Sequence, residues 1–173
     1  AEIPPEDGLI PEGLDDAEGL EEGAILEIRP AVSAVAKELG RRLQDHPGAA
    51  LFVDYGHAQT AWGDTLQAVK GHHYHDPLVE PGSADLTAHV DFGAFGQAAN
   101  EAGAGVLGPV PQGEFLNALG IATRAEALAT ASPAHKQDID SALSRLTSDE
   151  GMGRLFKVMA LTSPGMAPPP GFE

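Results

Sequence analysis

The sequence contains no cysteine. Disulfides, thiolate metal sites and a cysteine nucleophile are therefore excluded from these 173 residues. No apolar run approaches the roughly 20 residues that a membrane-spanning helix needs. Basic residues are scarce: 10 Lys and Arg stand against 26 Asp and Glu, a formal net charge of −16. That balance argues against a nucleic-acid partner, whose phosphates need a basic stripe. It fits a basic protein segment, although on charge alone an acidic surface that only keeps the protein in solution is the stronger reading. Ala1 to Asp7 hold no basic region and no apolar stretch, so no signal peptide is expected there. There is no initial Met, which leads to the expectation of a fragment or a processed product.

Catalytic signatures are missing as well. There is no Gly-x-Ser-x-Gly elbow, no phosphate-cradling Gly-x-x-x-x-Gly-Lys-Ser/Thr loop and no His-Glu-x-x-His helix. Gly103-Ala104-Gly105 approaches the dinucleotide fingerprint, but it precedes an apolar run where the fingerprint would follow one.

What is present alternates. Residues 1–22 are rich in Pro, Gly, Asp and Glu and read as an acidic loop or linker. Gly23–Ile28 reads as a short strand. Pro30 then suits a helix start, with Val32, Val35, Ala36, Leu39 and Leu43 on one face. Arg41 and Arg42 favour the negative end of that helix, and His46-Pro47-Gly48 stops it. Ala49–Val53 is an apolar run that ends in Asp54-Tyr55-Gly56-His57, the pattern of a buried parallel strand with polar groups at its carboxyl end. Ligands of open α/β sheets gather at such ends. Residues 58–84 read as irregular.

Further on, the periodicity predicts a helix over Val90–Ala102, a strand over Gly103–Val110 and a short helix near Phe115–Leu119. It predicts two more helices, over Arg124–Ala131 with Thr123 as N-cap and over Ile139–Leu146. Leu155–Leu161 reads as a last strand, and residues 164–173 as a flexible tail. Residues 23–163 thus form one α/β domain.

Two polar clusters stand out. His72, His73 and His75 lie beside Asp76, but no further ligand pair accompanies them, and a cleft-lining loop is expected there with no metal. Asp85-Leu86-Thr87-Ala88-His89-Val90-Asp91-Phe92 packs acids, a Thr and a His before an apolar helix. It reads as a helix start capped by Asp85 or Thr87, or as part of a site, and capping does not exclude a site.

Leu51-Phe52-Val53-Asp54-Tyr55-Gly56-His57 resembles the strand motif of the MidA family, also called DUF185. The resemblance continues through Gly63–Val69, His75–Leu78, Pro81–Phe92, Gln112–Leu116, Leu119–Ile121 with Arg124, and Met152–Val158. It runs in order from about Gly23 to Leu161.

The resemblance implies the C-terminal half of a Rossmann-like class I methyltransferase that uses S-adenosylmethionine (SAM). The three strands near 49–54, 104–110 and 155–161 should then share one sheet, the last antiparallel between the other two. The implied activity is methylation of a protein arginine, in support of complex I assembly. The location would be bacterial cytoplasm, or mitochondrial matrix if the source is eukaryotic, and the resemblance leaves room for a homodimer.

The family's Gly-rich SAM loop has no counterpart here, so this chain alone is expected to be inactive. Asp54 and Asp91 are the candidate catalytic acids and His57 and His89 the candidate proton carriers. Tyr55 and Gly56 are the cofactor-side contacts, and Asp85 is structural. The alternative is a non-catalytic binding module or inactive remnant that acts through protein–protein contacts.

Overall fold

A computed structural model describes residues 22–173. The acidic segment 1–22 lies outside them, apart from Glu22. Gly23–Ile28, expected as a strand, forms none: Gly23 lies in a turn and the residues after it pair with no strand. It is tied down locally, since the Gly63 N–H donates to the Ile25 carbonyl at 2.8 Å.

Helix α1 (Pro30–Asp45) begins at its proline, as expected. Ala36 and Leu43 are buried, and Val32 and Leu39 pack against the core. Val35 departs from the expected stripe and stays 56% exposed. Strand β1 (Ala49–His57) follows. Two short strands, β2 (Gln67–Lys70) and β3 (His73–His75), then form a hairpin, and β4 (Asp85–Thr87) joins it. The order is β3-β2-β4, all antiparallel. This small sheet corrects the reading of 58–84 as wholly irregular. Its strands are too short and too wet to leave a pattern: Tyr74 is 85% exposed and Leu86 is exposed too.

Strand β5 (Val90–Asp91) leads directly into α2 (Phe92–Glu101), so the helix starts two residues later than periodicity predicts. Its cap is Asp91. Asp85 and Thr87, the caps expected from sequence, lie on β4 instead. Strand β6 (Gly105–Pro111) and helices α3 (Gln112–Ala118), α4 (Ile121–Ala131) and α5 (Lys136–Thr147) follow. Thr123 lies inside the first turn of α4, and Gly120, with φ of 80°, takes the cap position. A one-turn helix α6 (Met152–Leu155) precedes β7 (Phe156–Thr162). The tail carries no helix or strand, and its Phe172 ring lies 5.3 Å from that of Phe115.

The main sheet has the order β5-β1-β7-β6. β7 runs antiparallel to both β1 and β6 and sits between them, as the resemblance implies. Its continuous apolar run explains the central place: Val158, Met159, Ala160 and Leu161 are all buried. β1 is less enclosed than a fully buried strand. Ala50 and Phe52 face the core, while Leu51 and Val53, which alternate with them, remain exposed.

The core lies between this sheet and the pair α1 and α2. It contains Phe92, Phe95, Ala98 and Ala99 of α2 and Met159 and Leu161 of β7. The two helices approach closely because Gly40 is small: a Cβ there would meet Ala102 Cβ and the Ala99 carbonyl at 2.7 Å. This packing seats α2, whose N-cap is Asp91, against α1.

Candidate active site

β1 and β5 run parallel and end together, with Gly56 opposite Val90 and His57 opposite Asp91. Two parallel strands thus deliver two titratable side chains to one carboxyl end. Gly56 makes that possible. A Cβ at this position would lie 2.1 Å from the Val90 carbonyl oxygen, so only glycine admits β5 so near.

Asp91 is 8% exposed. Its Oδ1 accepts the Ala94 N–H at 2.9 Å and caps α2, a favourable place for a carboxylate. Its Oδ2 accepts the Thr60 hydroxyl at 2.6 Å and lies 3.8 Å from His57 Nε2. Each oxygen therefore has a distinct task. A cavity of about 460 Å³ opens beside it, lined by Glu27, Arg29, Lys37, Thr60 and the start of α1.

The other candidates fall elsewhere. Tyr55 stacks edge-on between His89, at 5.6 Å, and Phe156, at 5.5 Å. Asp54 is exposed, and its Oδ1 accepts the N–H of Tyr55 at 2.8 Å. It borders a largely apolar cavity of about 360 Å³ with Val35, Phe52 and Phe95. The six candidates thus resolve into a His57–Asp91 pair, a Tyr55–His89 pair, a solitary Asp54, and Gly56 as the spacer between strands. The histidines at 72, 73 and 75 join none of these. Among the described residues no group of three or more acids and histidines converges as a ligand set.

Sequence reasoning missed Glu27 and Arg29, and it left Thr65 and Thr60 in an irregular loop. Glu27 pairs with Arg29, and both are half-buried. The Thr65 N–H donates to Glu27 Oε1 at 3.0 Å, and the Thr65 hydroxyl donates to Oε2. Burial pushes the Glu27 carboxyl up, but the Thr65 bonds and the Arg29 guanidinium together hold it below the ordinary glutamate value. The available signal was an acid and an arginine two apart, just before a proline-started helix.

A depressed carboxyl stabilises the fold fully above the unfolded value of about 4.3, and the benefit is lost as pH falls through the lower folded value. Glu27→Gln is therefore expected to cost about 1–3 kcal/mol at pH 7. The gap to wild type should close under acid conditions, below about pH 4. Thermal melts of both proteins from pH 7 down to pH 3 measure this. A gap that stays constant with pH would show that the charge of Glu27 does not matter.

The chain is similar to known proteins over most of its length. Residues 4–110 match the protein family described as "Putative S-adenosyl-L-methionine-dependent methyltransferase". The chain is 39% identical over 138 residues to the mouse mitochondrial protein arginine methyltransferase NDUFAF7, covering 79% of this chain and 31% of that protein. It is 44% identical over 125 residues to the Drosophila melanogaster homologue, covering 71% and 28%. A crystal structure from Burkholderia thailandensis with S-adenosyl-homocysteine bound superposes with a TM-score of 0.68 at 32% identity, over 83% of this chain and 37% of that one. The chain thus spans about a third of the length of these relatives. The family match extends over more than half of the chain, and the sheet order agrees with the class I fold: this chain belongs to that family of S-adenosylmethionine-dependent methyltransferases.

Proposed function

We propose that this chain forms the acceptor side of a SAM-dependent methyltransferase acting on a protein arginine. The observation that carries the reading is Asp91, buried and paired with His57 at the joint carboxyl end of β1 and β5. A guanidinium is a poor nucleophile until a carboxylate orients it and draws off a proton. Asp91 Oδ2 is the atom that meets this need, because Oδ1 is committed to the α2 cap. His57, at 3.8 Å, then carries the proton outward. Thr60 holds the carboxylate plane. The planar fork of an arginine suits such an acid better than a lysine does. The acidic balance of the chain favours a basic, arginine-containing segment as partner.

SAM supplies the methyl group, but the described residues do not fit as its main grip. The space against Gly56 is filled by the Val90 carbonyl, and the first turn of α2 is closed by Asp91. We assign that grip to the remainder of a family-length protein. The names of the mouse and fly relatives support a mitochondrial location if the source is eukaryotic, and the matrix is the compartment proposed. A bacterial source implies the cytoplasm.

The test joins binding and chemistry. Isothermal titration of SAM should give at least hundredfold weaker binding for these 173 residues than for a family-length protein that contains them, a loss of roughly 3 kcal/mol or more. The family-length protein should place labelled methyl groups on arginine, identified as methylarginine after hydrolysis. Low-micromolar SAM binding by the short chain overturns the division of labour. Labelling with no methylarginine overturns the acceptor.

A further inference from the structure

We propose that Glu27, Arg29 and Thr65 form a positioning clasp that sets Asp91 against His57. The inference depends on the reading of Asp91 as the acceptor-side carboxylate. Its origin is a deficit in β5. This strand has two residues and two paired positions, Val90 and Asp91. So short a ladder cannot hold its own register, yet the catalytic pair depends on that register.

The missing hold comes from side chains. The residue just before β5 is His89, and both of its backbone groups are taken. Its N–H donates to Thr65 Oγ1 at 3.1 Å. Its carbonyl accepts from Arg29 Nη1. The other arm of the same guanidinium donates to Glu27 and, at 3.2 Å, to Thr65 Oγ1. The Thr65 hydroxyl is thereby saturated. It donates once, to Glu27 Oε2, and accepts twice, from His89 and Arg29. Glu27 closes the circuit by accepting the Thr65 N–H.

Three distant stretches meet here: the segment before α1, the loop after β1 and the approach to β5. The β2–β4 ladder ends at Gln67 and Thr87, and from there to His89 the hold passes to these side chains. The fork of an arginine is needed because two parallel donors must reach two different partners, which a lysine ammonium does not match. None of the three residues pairs with His57 or Asp91. They act through the backbone of His89, two positions before the acid, and are positioning residues for that reason.

Two arms test the clasp. The first is amide hydrogen exchange on the family-length protein. Thr65→Val removes the hydroxyl at constant shape. The His89 amide should then exchange at least tenfold faster, while the amides of α2 from Phe95 to Glu101 keep their rates. Thr65→Ser, which retains the hydroxyl, restores protection. Unchanged His89 exchange in Thr65→Val overturns the clasp.

The second arm is kinetic. Thr65→Val should lower kcat more than tenfold with KM within about threefold, and Thr65→Ser should recover it. Adding Thr65→Val to Asp91→Asn should slow the enzyme no further than about threefold, since one alignment cannot be lost twice. Independent, multiplying losses overturn the positioning role. Should Thr65→Val not fold, Arg29→Lys keeps the charge and loses the fork, and the same kcat loss is expected. Should the wild-type protein transfer no methyl group, the methyltransferase reading fails by itself, and the exchange arm alone decides the clasp.

Discussion

Replacing Asp91 by asparagine should lower methyl transfer by roughly a hundredfold or more, the range that loss of a general base reaches. The melting temperature should barely move. The two oxygens of Asp91 explain the split. Oδ1 caps α2 through the Ala94 N–H. Asparagine caps as well as aspartate, so that bond survives. Oδ2 faces Thr60 and His57. An amide nitrogen in its place still meets the Thr60 hydroxyl, which turns to accept. What disappears is the negative charge that, in the function proposed above, orients a guanidinium and takes its proton.

Asp91→Ala separates the tasks in another way. It should lose turnover equally and also about 0.5–2 kcal/mol of stability, the usual value of a cap. Asp54→Asn is the companion experiment. That carboxylate is exposed, and its Oδ1 accepts the neighbouring N–H of Tyr55. A large kinetic loss there, with Asp91→Asn within about threefold of wild type, would reassign the chemistry to Asp54 and leave Asp91 a cap. Methyl-transfer kinetics and thermal melts on the family-length variants decide between these outcomes.

Gly56→Ala should produce the largest loss of stability of any single methyl added to this site. The new Cβ would stand 2.1 Å from the Val90 oxygen and 3.0 Å from its carbon and nitrogen. These are backbone atoms, so no side-chain rotation relieves the clash. β5 must leave its register or β1 must bend. Overpacking of this kind costs about 3 kcal/mol, with more where the backbone resists. For a chain of this size that corresponds to a fall of about 6–12 °C in Tm. Turnover should fall too, because Asp91 moves with β5.

Gly48→Ala is the control. Nothing lies within 4 Å of its would-be Cβ, and its stability should change by less than about 0.5 kcal/mol. Urea denaturation of both variants beside wild type measures the difference. A Gly56→Ala protein that unfolds at the wild-type midpoint would show that the strands do not need their close approach.

Much of the scaffold was legible without coordinates. Pro30 set the start of α1, and the apolar face of that helix largely held. The run that reaches Leu161 announced a last strand, since from Val158 onward its side chains are apolar on both faces. β1 and β6 followed from similar runs. Where the patterns failed, they failed for local reasons. β2, β3 and β4 have three or four residues each, and β3 and β4 are mostly exposed, so no alternation accumulates. β5 was absorbed into the helix after it, because Val90 continues the apolar stripe of α2 by chance of spacing. Val35 belonged to the helical stripe but found no partner, because no described element covers that edge of β1.

The site divides along the same line. Composition and motif identified Asp91, His57, Asp54 and His89 as residues with chemistry to offer, and the resemblance named the reaction. Which of them meet was not readable. His57 and Asp91 are 34 positions apart, joined by a loop and a small sheet whose lengths carry no instruction about register. Arg29 lies 60 positions from the carbonyl it holds. Residue types and periodicity are properties of neighbours along the chain. A hydrogen-bond partner is a property of neighbours in space, and it took the packing of α2 against α1, the narrow gap at Gly56 and the contacts around Thr65 to bring these together.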